Sequence, residues 1–294
     1  MEWQQIVGFY HVAKAGSFTK AAELTFRTQS ALTQQIKSLE EELGCQLLER
    51  IGKRRLLLTP LGERLFLFCE AVLTKYEALL EELNEIKGLQ KGRLRIAAPY
   101  TTLYHLLTEV LKTYRERFPW VEVSLFDRSQ QSVVELIKNG DVDFGIVLEK
   151  KVLASLSKIR WKKVESYLLT PKGHPLAQKK RVTVEQISRY PLILPPKTVE
   201  YTGRSRLEEL FQKNNLEYHL VMESSNVELS SLYVEMGLGI TFATLIKDLP
   251  ALKQRNLEFI PLNHYFEPEY IAVAFRKDKV LTSYQNAFLS IFKG

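Results

Sequence analysis

The chain has little cysteine and no pattern in which to use it. Cys45 and Cys69 are the only two in 294 residues, and no Cys-x-x-Cys pair occurs. That count excludes a disulfide framework and a cysteine-based zinc site, and it fits a reducing cytoplasm. Histidine is also sparse. His11, His105, His174, His219 and His264 are scattered, with neither His-x-x-x-His nor a His/Glu pairing of metal-ligand spacing, so no metal site is expected. There is no P-loop and no Gly-x-Ser-x-Gly elbow. Gly237-Leu238-Gly239 lacks the third glycine of a dinucleotide fingerprint and reads as a tight turn after a helix. No catalysis and no cofactor are therefore expected. The opening MEWQQIVGFY has neither the basic start nor the apolar run of a signal peptide, and no apolar stretch reaches membrane-spanning length. The expectation is a cytoplasmic protein with no membrane partner.

What is present is enough apolar residue, 45%, to bury more than one core, and two or three domains are expected. The formal charge of +7 invites a nucleic-acid reading, but its distribution argues against using it. Residues 1–92 hold twelve Lys/Arg and twelve Asp/Glu, whereas 93–294 hold 29 and 22. The excess lies in the second part, where Lys158, Arg160, Lys162, Lys163 and Lys179-Lys180-Arg181 suit either an anionic ligand or an incidental surface. The placement of charges, not their sum, is what bears on DNA binding.

Placement is informative between residues 9 and 62. A short helix pattern at Phe18–Leu24 is followed by a break at Thr25–Arg27 and a longer helix pattern from Thr28. Leu32, Ile36, Leu39 and Leu43 recur at three- and four-residue steps and form one apolar stripe. The other face carries Gln29, Ser30, Thr33, Gln34 and Lys37, side chains that suit base edges: Gln for adenine, Lys for guanine, Ser and Thr for bases or phosphates. Thr28 is a natural N-cap and leaves first-turn amides facing outward, where a phosphate fits. An ordinary solvated helix face would show the same pattern. Lys53-Arg54-Arg55 then falls at the tip of a hairpin ahead of Leu56-Leu57-Leu58; tip charges grip phosphates or merely solubilise a loop. Two helices joined by a short turn and followed by a basic hairpin form a winged helix-turn-helix.

From Pro60 to Lys87 only Gly62 interrupts a helical pattern. Leu65, Cys69, Val72, Tyr76, Leu79, Leu83 and Ile86 alternate four- and three-residue steps, a heptad seam that predicts pairing with another helix. A single amphipathic helix on its own core would carry the same stripe. Gly88 to Gly92 breaks it. Beyond Arg93, strands and helices alternate: Leu94–Ala98, Leu103–Phe118, Val121–Phe126, Ser129–Asn139 and Phe144–Leu148 form a first set. Tyr167–Thr170, Val184–Arg189, Leu192–Leu194, Ser205–Asn214, Tyr218–Met222, Val227–Met236, Gly239–Phe242 and Leu257–Pro261 form a second. Tyr270–Phe275 and Thr282–Phe292 close the chain. The alternation predicts an α/β unit with a mostly parallel sheet. Ligands of such sheets sit beyond strand C-termini against helix N-termini. Tyr100-Thr101-Thr102, Ser129-Gln130 with Ser132, and Thr202-Gly203 with Tyr201, Arg204 and Ser205 meet that description, although each could be a plain N-cap.

Between Phe9 and Gly62 the order of residues resembles the N-terminal domain of LysR-type transcriptional regulators. It is carried by Ala15-Gly16-Ser17-Phe18, Ala21-Ala22, Gln29-Ser30-Ala31-Leu32, Gln35-Ile36, Leu39-Glu40, Leu43-Gly44, Leu47-Leu48-Glu49-Arg50 and Leu58-Thr59-Pro60-Leu61-Gly62. The resemblance implies a ligand-responsive regulator binding double-stranded DNA at a two-half-site promoter element. It divides the chain into a winged helix-turn-helix at 1–59, a linker helix at 60–88 that pairs two copies, a hinge at 89–92, and a two-subdomain effector domain like a periplasmic binding protein. Subdomain I would be 93–163 and 267–294, subdomain II 164–266, with the effector between them. A homodimer or homotetramer is implied, with RNA polymerase as a further partner. Thr202-Gly203-Arg204-Ser205 with Leu207 and Phe211, and Tyr233-Val234 with Gly237-Leu238-Gly239, most resemble the cysteine-regulon regulators, which respond to acetylserine and sulfur-related anions. Thr101 and Thr202 match positions of that subgroup's anion site, whereas Pro99 and Thr102 replace a threonine and a glutamine, and Leu148 stands where a threonine is usual. Two other classes fit parts of the chain. An α/β cleft enzyme leaves the helix-turn-helix and seam without a role, and a sequence-indifferent architectural DNA-binding protein leaves the cleft domain without one.

Overall fold

The computed structural model describes residues 1–51, 55–87, 91–197, 203–246, 249, 252 and 254–293, which divide into two compact units, 1–89 and 90–294. In the first, α1 (Trp3–Ala15), α2 (Phe18–Thr25) and α3 (Gln29–Leu43) precede a hairpin of β1 (Leu48–Ile51) and β2 (Arg55–Leu58) and a long helix, α4 (Pro60–Ile86). The caps explain the breaks. Ser17 accepts from the Lys20 amide and Thr28 from the Ala31 amide, so each helix starts where a side chain satisfies an orphan N–H. Gly16 and Gly44 close α1 and α3 in the left-handed conformation that glycine adopts freely. Glu40 ties α3 to the hairpin by accepting from the Leu47 and Leu48 amides at 2.7 and 3.2 Å. Gly62 is required by close approach, because a Cβ there would lie 2.0 Å from the Leu47 carbonyl oxygen.

Ile6, Phe9 and Val12 of α1 pack with Ala21, Ala22, Leu32, Ile36, Leu39 and Leu47 in one core. Leu43, the last residue expected on the α3 stripe, is instead exposed, because the helix ends there and the core does not extend beneath it. The expected seam divides in two. Cys69 is fully buried in this same core, and Leu65 and Val72 pack against it, so these three are occupied within their own chain. Tyr76, Leu79, Leu83 and Ile86 are exposed.

The second unit is built on a nine-stranded mixed sheet. Its strands and helices run β3 (Gly92–Ala98), α5 (Tyr100–His105), α6 (Leu107–Arg117), β4 (Val121–Asp127), α7 (Gln130–Lys138), β5 (Phe144–Leu148), β6 (Leu156–Pro171), α8 (Val184–Ser188), β7 (Leu192–Leu194), α9 (Gly203–Lys213), β8 (Leu220–Glu223), α10 (Val227–Glu235), β9 (Ile240–Leu245), β10 (Leu257–Pro261), β11 (Glu269–Arg276) and α11 (Ser283–Ser290). The sheet order is β4-β3-β5-β11-β6-β9-β7-β8, with β10 also on β6. β3 pairs in parallel with β4 and β5, and β7 with β8 and β9, while β11 and β6 run antiparallel to their neighbours.

Two lobes follow from β6. Its first half, through Val164, pairs with β11, and its second half, from Glu165, pairs with β9 and β10. The first lobe buries Leu94, Ile96, Tyr114, Phe144 and, returning from the chain end, Tyr284 and Phe288; α7 covers its other face through Val133 and Ile137. The second buries Leu168, Leu192, Leu207 and Phe211 on one face and Ile193, Val234 and Leu245 on the other.

Two expectations change. The single helix predicted over Leu103–Phe118 starts earlier and breaks at Leu106, giving α5 and α6. The strand predicted at Tyr167–Thr170 is the tail of sixteen-residue β6. Its first half alternates outward Lys158, Arg160 and Lys162 with half-buried Ile159 and Trp161, so part of the basic cluster is the wet face of a strand.

Candidate functional site

The first unit offers one polar helix face. Gln29, Ser30, Thr33, Gln34 and Lys37 are all exposed on α3, opposite the buried Leu32, Ile36 and Leu39. Several are held in place. The Thr28 and Ser30 hydroxyls lie 3.1 Å apart, Thr33 Oγ1 donates to the Gln29 carbonyl at 2.8 Å, and Thr19 Oγ1 donates to Gln29 Oε1 at 3.4 Å. Lys37 sits 3.7 Å from Glu41 in an exposed pair, which water screens heavily, leaving the ammonium available. Gln35 is turned inward, accepting from Arg27 Nη1 at 3.1 Å. Lys53 and Arg54 lie outside the described residues, and Arg55 opens β2.

The second unit contains a cleft of about 560 Å³ between its lobes. Pro99–Thr102 after β3, Asp127–Gln130 and Ser132 at and after the end of β4, and Leu148 ending β5 line one side; Ser225–Val227, Ser230 and Thr241–Ile246 line the other. Parallel pairing of β3 with β4 brings the first two segments together at their strand C-termini, and the Arg128 amide donates to the Ala98 carbonyl. The expected residues Tyr100, Thr101, Thr102, Ser129 and Gln130 thus share one wall.

Their chemistry is uneven. Tyr100 stacks on Tyr104 with centroids 5.5 Å apart. Ser129 caps α7, and Gln130 Oε1 accepts from the Leu148 amide at 2.9 Å, pinning that helix to β5. Thr101, expected to offer its hydroxyl to an anion, instead donates to Glu228 Oε2 at 3.3 Å, while His105 Nε2 lies 2.7 Å from Glu228 Oε1. The His105 and Glu228 side chains are 3% and 14% exposed, so this contact is a buried strap from α5 of the first lobe to α10 of the second. Thr102 is only 8% exposed and lines the cleft, and among the described residues its hydroxyl has no hydrogen-bond partner.

Thr202 lies outside the described residues, and Gly203 begins α9. Arg204 is buried. It donates to Glu208, Glu223 and the Pro195 carbonyl, and although burial opposes its charge, bonds with Glu208, Glu223 and Tyr218 outweigh that and raise its pKa. It is a structural ion-pair centre.

Arg128 was not among the expected site residues, yet it is the one basic side chain among the described lining residues, with Nη1 on the Asp127 carbonyl at 2.7 Å. The His105–Glu228 strap was likewise unexpected. Arg128 had a signal, since it directly precedes the N-cap Ser129 at a strand end. The strap had none, because its partners are 123 positions apart. Among the described residues no group of three His, Cys, Asp or Glu could hold a metal ion, and no helix is long and apolar enough to cross a membrane.

Two family models match. Residues 3–63 match the bacterial regulatory helix-turn-helix protein of the lysR family, and residues 87–294 match the LysR substrate binding domain. The chain is a LysR-family transcriptional regulator. It is 33% identical over 245 residues to the HTH-type transcriptional regulator cbl of Klebsiella aerogenes, covering 82% of this chain and 76% of that one. To the HTH-type transcriptional regulator CysB of Burkholderia cenocepacia it is 29% identical over 272 residues, covering 91% and 85%. The solved cofactor-binding domain of the Cbl transcriptional regulator superposes with a TM-score of 0.59 at 28% identity, covering 69% of this chain and 88% of that one. The regulator therefore sits with the cysteine-regulon subgroup, with a DNA-binding unit and an effector-binding α/β unit.

Proposed function

We propose that this LysR-family regulator works by binding rather than catalysis: a dimer or tetramer reads two half-sites through paired α3 helices, and a small anionic effector in the interlobe cleft adjusts that grip. The anion is carried by one observation: Thr102 lines the cleft on the same wall as Arg128, and among the described residues its hydroxyl has no protein partner. A hydroxyl open to the cleft and not engaged by the protein is free to donate to a ligand acceptor. Arg128, with one guanidinium nitrogen on a carbonyl, has further N–H donors for an oxyanion.

Assembly is supported by the exposed apolar residues Tyr76, Leu79, Leu83 and Ile86 at the end of α4, which suit burial against a second copy. Lys53, Arg54 and Arg55 would hold phosphates and set orientation. The cytoplasm, where DNA and RNA polymerase are met, is the compartment this reading requires.

A thermal-shift screen of the full chain against small carboxylates, acetylated amino acids, sulfate and thiosulfate tests the effector reading. A true effector at a hundred times its dissociation constant adds about 2.7 kcal/mol of stability. A screen in which neutral analogues stabilise as well as anions, or in which Thr102→Val responds like the parent, would overturn it.

A further inference from the structure

Three helices of the DNA-binding unit end in the left-handed conformation. Two use glycine, Gly16 at φ 58° and Gly44 at φ 63°. The third, in the turn of the helix-turn-helix, uses Phe26 at φ 53° and ψ 43°. Its amide closes α2 on the Ala22 and Glu23 carbonyls, and the Arg27 amide follows onto Ala22, so the conformation is fixed by the turn. A bulky aromatic residue is disfavoured there, where glycine or asparagine is usual. Contacts within the chain do not compensate: Phe26 is 97% exposed and stands outside the domain core. The position therefore combines an unfavourable backbone conformation with a large apolar ring in water. Unusual conformations of this kind recur at binding sites.

The position points to the partner. Phe26 is separated from the N-cap Thr28 only by Arg27, which is tethered to Gln35, and Gln29 opens α3 immediately after. The N-terminal end of this second helix is the part of a helix-turn-helix that meets base edges in the major groove. A phenyl ring has no hydrogen bonds to offer. The apolar feature a major groove presents is the C5-methyl of thymine, and glutamine beside it suits adenine. From this we infer that Phe26 is a DNA contact which reads a thymine methyl at the edge of each half-site, next to the base read by Gln29, and so biases the regulator toward A·T pairs there.

The test uses the full-length chain and a duplex enriched from a random-sequence library by the parent protein. Phe26→Asn and Phe26→Gly suit the backbone better than phenylalanine, so both should melt at or above the parent's temperature while binding the enriched duplex roughly tenfold more weakly, the scale of a lost apolar contact. Binding to an unselected duplex should hardly change. Replacing thymines of the enriched duplex one at a time by deoxyuridine removes only the methyl. One position should weaken the parent and leave Phe26→Asn unaffected, the sign of direct coupling. The inference is overturned if the variants bind the enriched duplex as the parent does, or lose affinity equally for both duplexes. It is overturned too if every deoxyuridine costs parent and variant the same, if the variants melt lower, or if they sediment as a smaller species, which would assign the ring to a protein contact.

Discussion

At the scale of single residues, the two surfaces of this regulator differ in how far local sequence specifies them. The proposed readout face of α3 is local: Leu32, Ile36 and Leu39 turn inward, and Gln29, Ser30, Thr33, Gln34 and Lys37 are left outward by helix periodicity alone. Gln29→Ala and Lys37→Ala should each weaken binding to an enriched duplex by about 1–3 kcal/mol while sparing an unselected one. Equal losses on both duplexes would reassign these side chains to phosphates. The cleft is not local. Thr101 and Thr102 are adjacent in sequence, yet one is tied to Glu228 and the other lines the cleft with no hydrogen-bond partner for its hydroxyl among the described residues. Nothing within a few residues of either predicts that difference. It requires α10, which the fold brings over from the far lobe. Thr102→Val should therefore cost an anionic effector about 1.5–3 kcal/mol, roughly ten- to a hundredfold by calorimetry, and Thr101→Val distinctly less. A larger loss at Thr101 would mean that Glu228 releases it when ligand enters.

At the scale of elements, α4 shows why a stripe in sequence does not name its partner. Leu65, Cys69, Val72, Tyr76, Leu79, Leu83 and Ile86 keep one period, but a helix of 27 residues outruns the small core it starts on. The first three are absorbed by α1 and the hairpin; Tyr76 still packs on Trp3 of α1 with ring centroids 4.5 Å apart, and Leu79, Leu83 and Ile86 continue past the core into solvent. The substitutions should separate accordingly. Leu79→Asp or Leu83→Asp places charge between partner helices and should yield a smaller sedimenting species that keeps its helical content. Val72→Asp puts charge beside a buried core and should lower the melting temperature of the DNA-binding unit itself. If Leu79→Asp leaves the assembly intact, the exposed half of α4 is not the pairing surface. The β6 strand teaches the same lesson from another side. Its alternation of Ile159 and Trp161 with Lys158, Arg160 and Lys162 was legible as period two, but the density of lysine and arginine masked it as a surface patch.

At the scale of the whole molecule, regulation requires that effector and DNA each alter the other's affinity, and that requirement is quantitative. If the effector changes affinity for the operator by some factor, saturating operator must change affinity for the effector by the same factor. The structure suggests where the first step of that coupling is held. Glu228 keeps α10 on α5 through Thr101 and His105, beside the wall where the anion is proposed to sit. A second negative charge arriving there repels the Glu228 carboxylate, by about 1 kcal/mol even at water's dielectric for charges 4 Å apart. The strap and the ligand are thus opposed. Glu228→Gln should bind an anionic effector several-fold more tightly, since the repulsion is gone while a hydrogen bond to Thr101 can remain. Because the strap is already loosened, the same variant should show a smaller effector-induced change in operator affinity. Measuring both constants in one titration set separates this coupling from simple damage: a misfolded cleft would lose affinity for the effector, whereas the opposed-charge arrangement requires affinity to rise as the coupling factor falls. Unchanged effector affinity in Glu228→Gln would show that the carboxylate lies outside the ligand's field, and the strap would then serve only to hold the two lobes in register.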